Sequence, residues 1–207
     1  KIIMLKNLYI ITGASQGIGE ALLTELSKND KNLAFGVART NPHDLPHFIT
    51  HDLTEISGVN RIHDWLKLYK EEASSITLIN NAGMIKPIGK MGSLDQNTIK
   101  RAIALNITAP TLLMDLFIKE LKDFKGEKKI LNISSGAARH PYEGWAVYCM
   151  TKAALDHITR VIHEEQKNAL YPTYVSSIAP GVIDTKMQAT IRESSQDDFP
   201  NVERFLE

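Results

Sequence analysis

The sequence predicts an α/β fold, a parallel, doubly wound sheet with helices on both faces. Three observations predict it. Short apolar runs alternate with segments of helical periodicity along the chain, the pattern of strands joined by helical crossovers. A glycine-rich turn separates the first apolar run from the first helical segment. The 207 residues, 43% hydrophobic, show no repeat, low-complexity tract or linker, and suffice for one domain with a good core.

Leu8-Tyr9-Ile10-Ile11 is an apolar run that reads as a buried strand over 8–12. Thr12-Gly13-Ala14-Ser15-Gln16-Gly17-Ile18-Gly19 follows, and then Ala21, Leu22, Leu23 and Leu26 at helical spacing mark a helix over 17–29. A strand, a glycine turn and a helix in this order form the context of a dinucleotide site. Gly13 suits the tight turn, Gly17 lets the backbone approach a pyrophosphate, and Gly19 lets the helix pack against the strand. The helix N-terminus adds free N–H groups. For the loop alone, an ordinary strand-to-helix turn is the competing reading.

Phe35-Gly36-Val37-Ala38 closes a second strand over 32–38, and a third is expected at 47–50. Between them Thr40 to Pro46 holds two prolines and is too short for a crossover helix. A helix over 58–73 and a strand over 75–80, with apolar Leu78-Ile79 before Asn80, come next. The long helical pattern over 95–123 contains Asn106, with Pro110 four residues on. Pro110 cannot donate to the Asn106 carbonyl, so the helix is expected to be open there. A proline kink serving packing alone is the alternative. Strands over 129–134 and 173–179, a helix over 145–168 and shorter helices after 185 complete the pattern. Sheets of this kind bind ligands at the carboxyl ends of their strands.

Tyr148 and Lys152 stand at i and i+4 of the helix over 145–168, on one face, with Ser135 upstream. A free tyrosine titrates near pH ~10. A neighbouring ammonium favours the phenolate and is expected to lower that value, making Tyr148 a usable acid–base group. The pair alone is common on solvated helices, so its weight comes from the surrounding constellation.

These residues resemble the short-chain dehydrogenase/reductase family over essentially the whole chain. The glycine pattern matches, as do Asn80-Asn81-Ala82-Gly83, Asn106, Ser135, Tyr148 with Lys152, and Pro180-Gly181 followed by Thr185. The stretches 132–137, 141–145 and 179–185 resemble bacterial benzil reductases, a sepiapterin-reductase-like branch. The resemblance implies a Rossmann-type domain with strand order 3-2-1-4-5-6. It also implies catalysis by Asn106, Ser135, Tyr148 and Lys152, with Ser135 holding the substrate carbonyl and Tyr148 giving it a proton. Cofactor contacts are expected from Gly13, Ser15, Gly17, Ile18 and Gly19, from Asp52 and Leu53, and from Asn81, Ala82 and Gly83. Tyr148, Lys152, Pro180, Gly181, Ile183 and Thr185 would hold the nicotinamide end, while Asn80 braces the sheet.

Arg39 ends strand two where NAD-specific relatives carry an aspartate. A guanidinium binds a 2′-phosphate that an aspartate would repel, so NADP(H) is the expected cofactor. A solvated strand-end charge is the plainer reading of Arg39. The expected activity is NADPH-dependent reduction of a small-molecule ketone or aromatic or vicinal diketone. Tyr142 and Trp145 are placed to line that pocket or to pack the core. The alternatives are a pterin side-chain carbonyl as substrate, or a non-catalytic dinucleotide-binding sensor or scaffold. In the family the two long helices pair subunits, which implies a homodimer. The sequence starts without methionine and stops at Glu207, where relatives usually continue through a further helix and strand, so a C-terminally incomplete single domain is expected.

Formal net charge is zero without a basic patch, which argues against a nucleic-acid partner. No uninterrupted apolar run nears the ~20 residues of a membrane span, and no signal peptide is visible, so a cytoplasmic location is expected. Cys149 is the single cysteine; it permits no internal disulfide and fits a reducing compartment. His43 and His47, or His157 and His163, lack companion ligands, so no metal is expected. The acidic run Glu193 to Asp198 reads as a solvated face.

Overall fold

The computed structural model describes residues 6–205. Strands β1 (Lys6–Thr12), β2 (Asn32–Ala38), β3 (Phe48–Thr50), β4 (Ala73–Asn80), β5 (Glu127–Ile133) and β6 (Thr173–Ile178) pair in parallel in the order β3-β2-β1-β4-β5-β6. The two halves diverge between β1 and β4, the point where such sheets leave a crevice at their carboxyl ends.

The central strands read as apolar runs because both their faces are covered. Leu8, Ile10, Val37, Ile76, Leu78 and Ile130 enter one core with Val59, Ile62, Trp65 and Leu66 of α2 (Ile56–Tyr69). Ile11, Ala34 and Ile79 enter a second with Leu23 of α1 (Gly17–Ser27). Arg39 to His47 carries no helix between β2 and β3, as the two prolines require.

The helix α3 (Gln96–Ile103) continues through a π-turn, Ala104–Thr108, into α4 (Ala109–Glu120). Ala109 N–H donates to the Ala104 carbonyl across that turn, so the helix is opened around Asn106. No single apolar run in the sequence reaches a membrane span, yet the continuous helix is long and apolar enough to cross one. Its Ala102, Asn106, Leu113, Met114 and Phe117 are buried in protein, which accounts for the apolar composition of a core helix.

The helix α5 (Ala146–Gln166) is anchored from beneath by a buried polar network. Asn80 donates to the Asn132 side-chain oxygen at 2.8 Å, and Asn132 donates to Thr159 Oγ1 at 2.8 Å. The chain links β4, β5 and α5 and fixes the register of the helix that carries Tyr148 and Lys152. Asn80 thus braces the sheet. A last helix, α6 (Lys186–Arg192), precedes a 3₁₀ turn, Val202–Phe205.

Candidate active site

Above the carboxyl ends of β1, β2, β4, β5 and β6 lies a cavity of about 510 Å³. Gly13, Ser15, Gly17, Ile18, Arg39, Asp52, Leu53, Asn81, Ala82 and Gly83 line it together with Ser135, Tyr148, Lys152, Pro180, Gly181, Ile183 and Thr185. Gly17 lies close to Thr185, and Gly83 close to Lys152. Of the catalytic and cofactor-binding residues expected from sequence, Gly19 and Asn106 alone are not on its lining.

The glycine loop has the conformation its composition demands. Gly13 and Gly17 have φ of +69° and +60°, a region where side chains are strained. A Cβ on Gly13 would meet the Ala82 backbone at 2.8 Å, and one on Gly19 would overlap the Gly13 carbonyl oxygen. The loop is stapled to β4: Thr12 Oγ1 accepts from the Asn81 and Ala82 N–H groups, and Asn81 Nδ2 donates to the Thr12 and Gly13 carbonyls. The Asn81 amide nitrogen is therefore committed to holding the loop.

Asp52 carries a partner that the sequence did not reveal. Its Oδ2 accepts from Arg101 of α3 at 2.6 Å, and its Oδ1 accepts from the Thr54 N–H and hydroxyl at 2.9 Å. Partial burial opposes ionisation, but the Thr54 bonds and the Arg101 charge outweigh it and hold the carboxyl below its usual value. No sequence signal joins residues 52 and 101.

At the catalytic end, Tyr148 and Lys152 are 7% and 5% exposed. Lys152 Nζ donates to the Ile133 carbonyl at 2.8 Å and lies 5.8 Å from the Tyr148 ring centre. Burial lowers its pKa to about 8, against the opposing charge of Asp156. The expected lowering of the Tyr148 pKa is not what the structure gives: burial pushes it up, and the Ser135 side chain only partly opposes the rise. Burial of the phenol is a tertiary effect that residue spacing cannot carry. Asn106 Oδ1 accepts from Met84 N–H at 2.9 Å, and its Nδ2 donates to the Met84 carbonyl and to Thr151 Oγ1. Its side chain thereby ties the π-turn to the segment after β4 and to α5.

Sequence reasoning missed two members of the aromatic cluster, Phe205 on the cavity lining and Phe199 behind it. Trp145 stacks on Phe199 with centroids 4.3 Å apart, and touches Tyr142, Tyr148 and Phe205 at 5.2, 5.7 and 5.2 Å. Phe199 and Phe205 are buried, and they follow an acidic run read as solvated. Phe199, Val202 and Phe205, three residues apart in turn, were the available signal.

The lining fits a dinucleotide phosphate chain. Glycines at positive φ keep the loop clear of Cβ atoms, and the lining sets the basic side chains Arg39, Arg101, Lys152, Lys186 and Arg204 against one carboxylate, Asp52, which is already paired. Such a cavity attracts anions.

Comparison with known proteins agrees with this geometry. The family model described as short chain dehydrogenase matches residues 7–196. A benzil reductase ((S)-benzoin forming) of Bacillus subtilis is 42% identical over 205 residues, covering 96% of this chain and 83% of the relative. The crystal structure of a short-chain dehydrogenase/reductase from Burkholderia vietnamiensis superposes with a TM-score of 0.77 at 31% identity, covering 93% of both chains. A 4-hydroxyisoleucine dehydrogenase complexed with NADH gives 0.77 at 25% identity, covering 98% of this chain and 91% of the other.

Proposed function

The chain belongs to the short-chain dehydrogenase/reductase family, and from that premise we propose that it is an NADPH-dependent carbonyl reductase of aromatic or vicinal diketones. The observation that carries the reading is the meeting of Ser135, Tyr148 and Lys152 in one cavity with the glycine loop, beside an aromatic wall. The 42% identical benzil reductase supports the choice of substrate class.

The bound nicotinamide would supply the hydride. Gly13, Ser15, Gly17 and Ile18 would cradle the pyrophosphate through the loop and the N-terminus of α1. Arg39, exposed and without an ion pair among the described residues, would take the 2′-phosphate that favours NADPH over NADH. Asp52 with Leu53 would border the adenine, and Gly181, Ile183 and Thr185 the nicotinamide.

Ser135 holds the substrate carbonyl oxygen, and Tyr148 gives that oxygen its phenolic proton. A raised tyrosine pKa keeps the proton on the phenol until the carbonyl oxygen gains charge. Lys152 then stabilises the phenolate that is left, at a distance short enough in a buried site to matter. Asn106, opened by the π-turn before Pro110, holds the water through which the proton is restored. The exposed Leu112 of α4 and Val161 of α5 support a homodimer through these helices.

The test is NADPH oxidation with benzil, an aliphatic diketone and sepiapterin in parallel. Turnover of benzil, faster with NADPH than with NADH, is expected. Turnover of sepiapterin alone would make the substrate a pterin, and NADPH binding without turnover of any carbonyl would make the protein a non-catalytic binding module.

A further inference from the structure

Resting on the reductase reading, we infer that Arg204 is a specificity residue: it selects aryl carbonyl substrates that carry an anionic oxygen group on the side of the aryl body away from the reacting carbonyl. The basis is the polarity of the cavity's substrate end. That end is walled by Tyr142, Trp145, Ile191 and Phe205, and Arg204 is the charged side chain in contact with Tyr142 on that wall.

The guanidinium lies 5.9 Å from the Tyr142 ring centre, and its Nη1 is 3.5 Å from the Tyr142 hydroxyl. Stacked on an aromatic face, an arginine keeps its N–H fork open to an oxyanion. Four carboxylates of the neighbouring segments have partners of their own. Glu143 pairs with Lys90 at 3.1 Å, Glu203 accepts from Gln196 at 2.8 Å, Asp198 accepts from Ser195, and Asp184 pairs with Arg192. Among the described residues Arg204 has no acidic partner.

Ring contacts run unbroken from Arg204 through Tyr142 and Trp145 to Tyr148. An aryl group lying along that wall, with its carbonyl at Tyr148, would direct its far edge at the guanidinium. A carboxylate on that edge completes a charge-assisted fork. A neutral substituent leaves the arginine solvated. The aryl body and the acid are thus read by separate parts of one pocket.

The experiment compares 4-carboxybenzil with 4-carbamoylbenzil, whose planar amide nearly matches the carboxylate in shape at the distal position and lacks its charge. Affinity for each is read by Trp145-sensitive fluorescence with NADP⁺ present, and KM and kcat are read by NADPH oxidation. The wild type should prefer the carboxylate by about tenfold in Kd and KM, with similar kcat. In Arg204→Gln the preference should fall to about one, and Arg204→Lys should restore part of it. A ratio near one in the wild type, or an undiminished ratio in Arg204→Gln, overturns the inference. Since the ratio is read from binding, it answers even if no benzil is turned over, an outcome that would count against the reductase reading instead.

Discussion

Lys152 Nζ donates to the Ile133 carbonyl at 2.8 Å, which ties the ammonium of the catalytic helix to the carboxyl end of β5. The charge is thereby held in a fully buried place whether or not the neighbouring phenol titrates. Burial lowers its pKa from 10.5 to about 8.

That depression predicts a pH-dependent stability. Between about pH 8 and pH 10.5 the unfolded chain binds more protons at this lysine than the folded chain, so folded-state stability rises with pH. Below about pH 8 both states are protonated and the full cost of the buried charge, about 3 kcal/mol, is present. Denaturant unfolding of the wild type and Lys152→Met, from about pH 7 to about pH 10, should therefore show the wild type gaining on the variant by up to that amount. A difference that stays constant with pH would mean that the lysine is not desolvated.

Arg39, just after β2, has no ion pair among the described residues, so its replacement isolates one contact. Arg39→Ala should weaken NADPH binding by about 10–100-fold and leave NADH affinity within about threefold. Equal loss for both cofactors, measured by fluorescence titration, would assign Arg39 to general electrostatics.

Gly144 has φ of +86°, and a Cβ there would overlap the Asp198 carbonyl oxygen. Gly144→Ala should cost about 2–4 kcal/mol and push the segment bearing Phe199 and Phe205 off Trp145. Gly136, with nothing within 4 Å of its Cβ position, provides the control, and Gly136→Ala should stay within about 0.5 kcal/mol. Thermal unfolding together with near-ultraviolet circular dichroism of Trp145 checks both. Equal stability of the two variants would contradict the packing described here.

The strands and the placement of Tyr148 with Lys152 were legible because both rest on local signals, whereas the sheet order came from the resemblance to a known family. Parallel strands covered on both faces appear as short apolar runs, and i, i+4 spacing on a helix fixes a shared face. Even the opening at Asn106 was legible, from Pro110 and its missing donor. The Arg101–Asp52 pair was not, because it joins α3 to the segment after β3 across the fold. Phe199 and Phe205 were obscured by the acidic run before them, whose solvated character says nothing about the next turn. The direction of the Tyr148 pKa needed the buried surroundings of the phenol, which no spacing encodes.

The most direct test of the catalytic reading is Tyr148→Phe, which keeps the ring against Trp145 and removes the proton. The reductase account predicts a fall in kcat with benzil of about 10²–10⁴-fold, with NADPH affinity retained within about threefold. Reduction of benzil at the wild-type rate by this variant would contradict it.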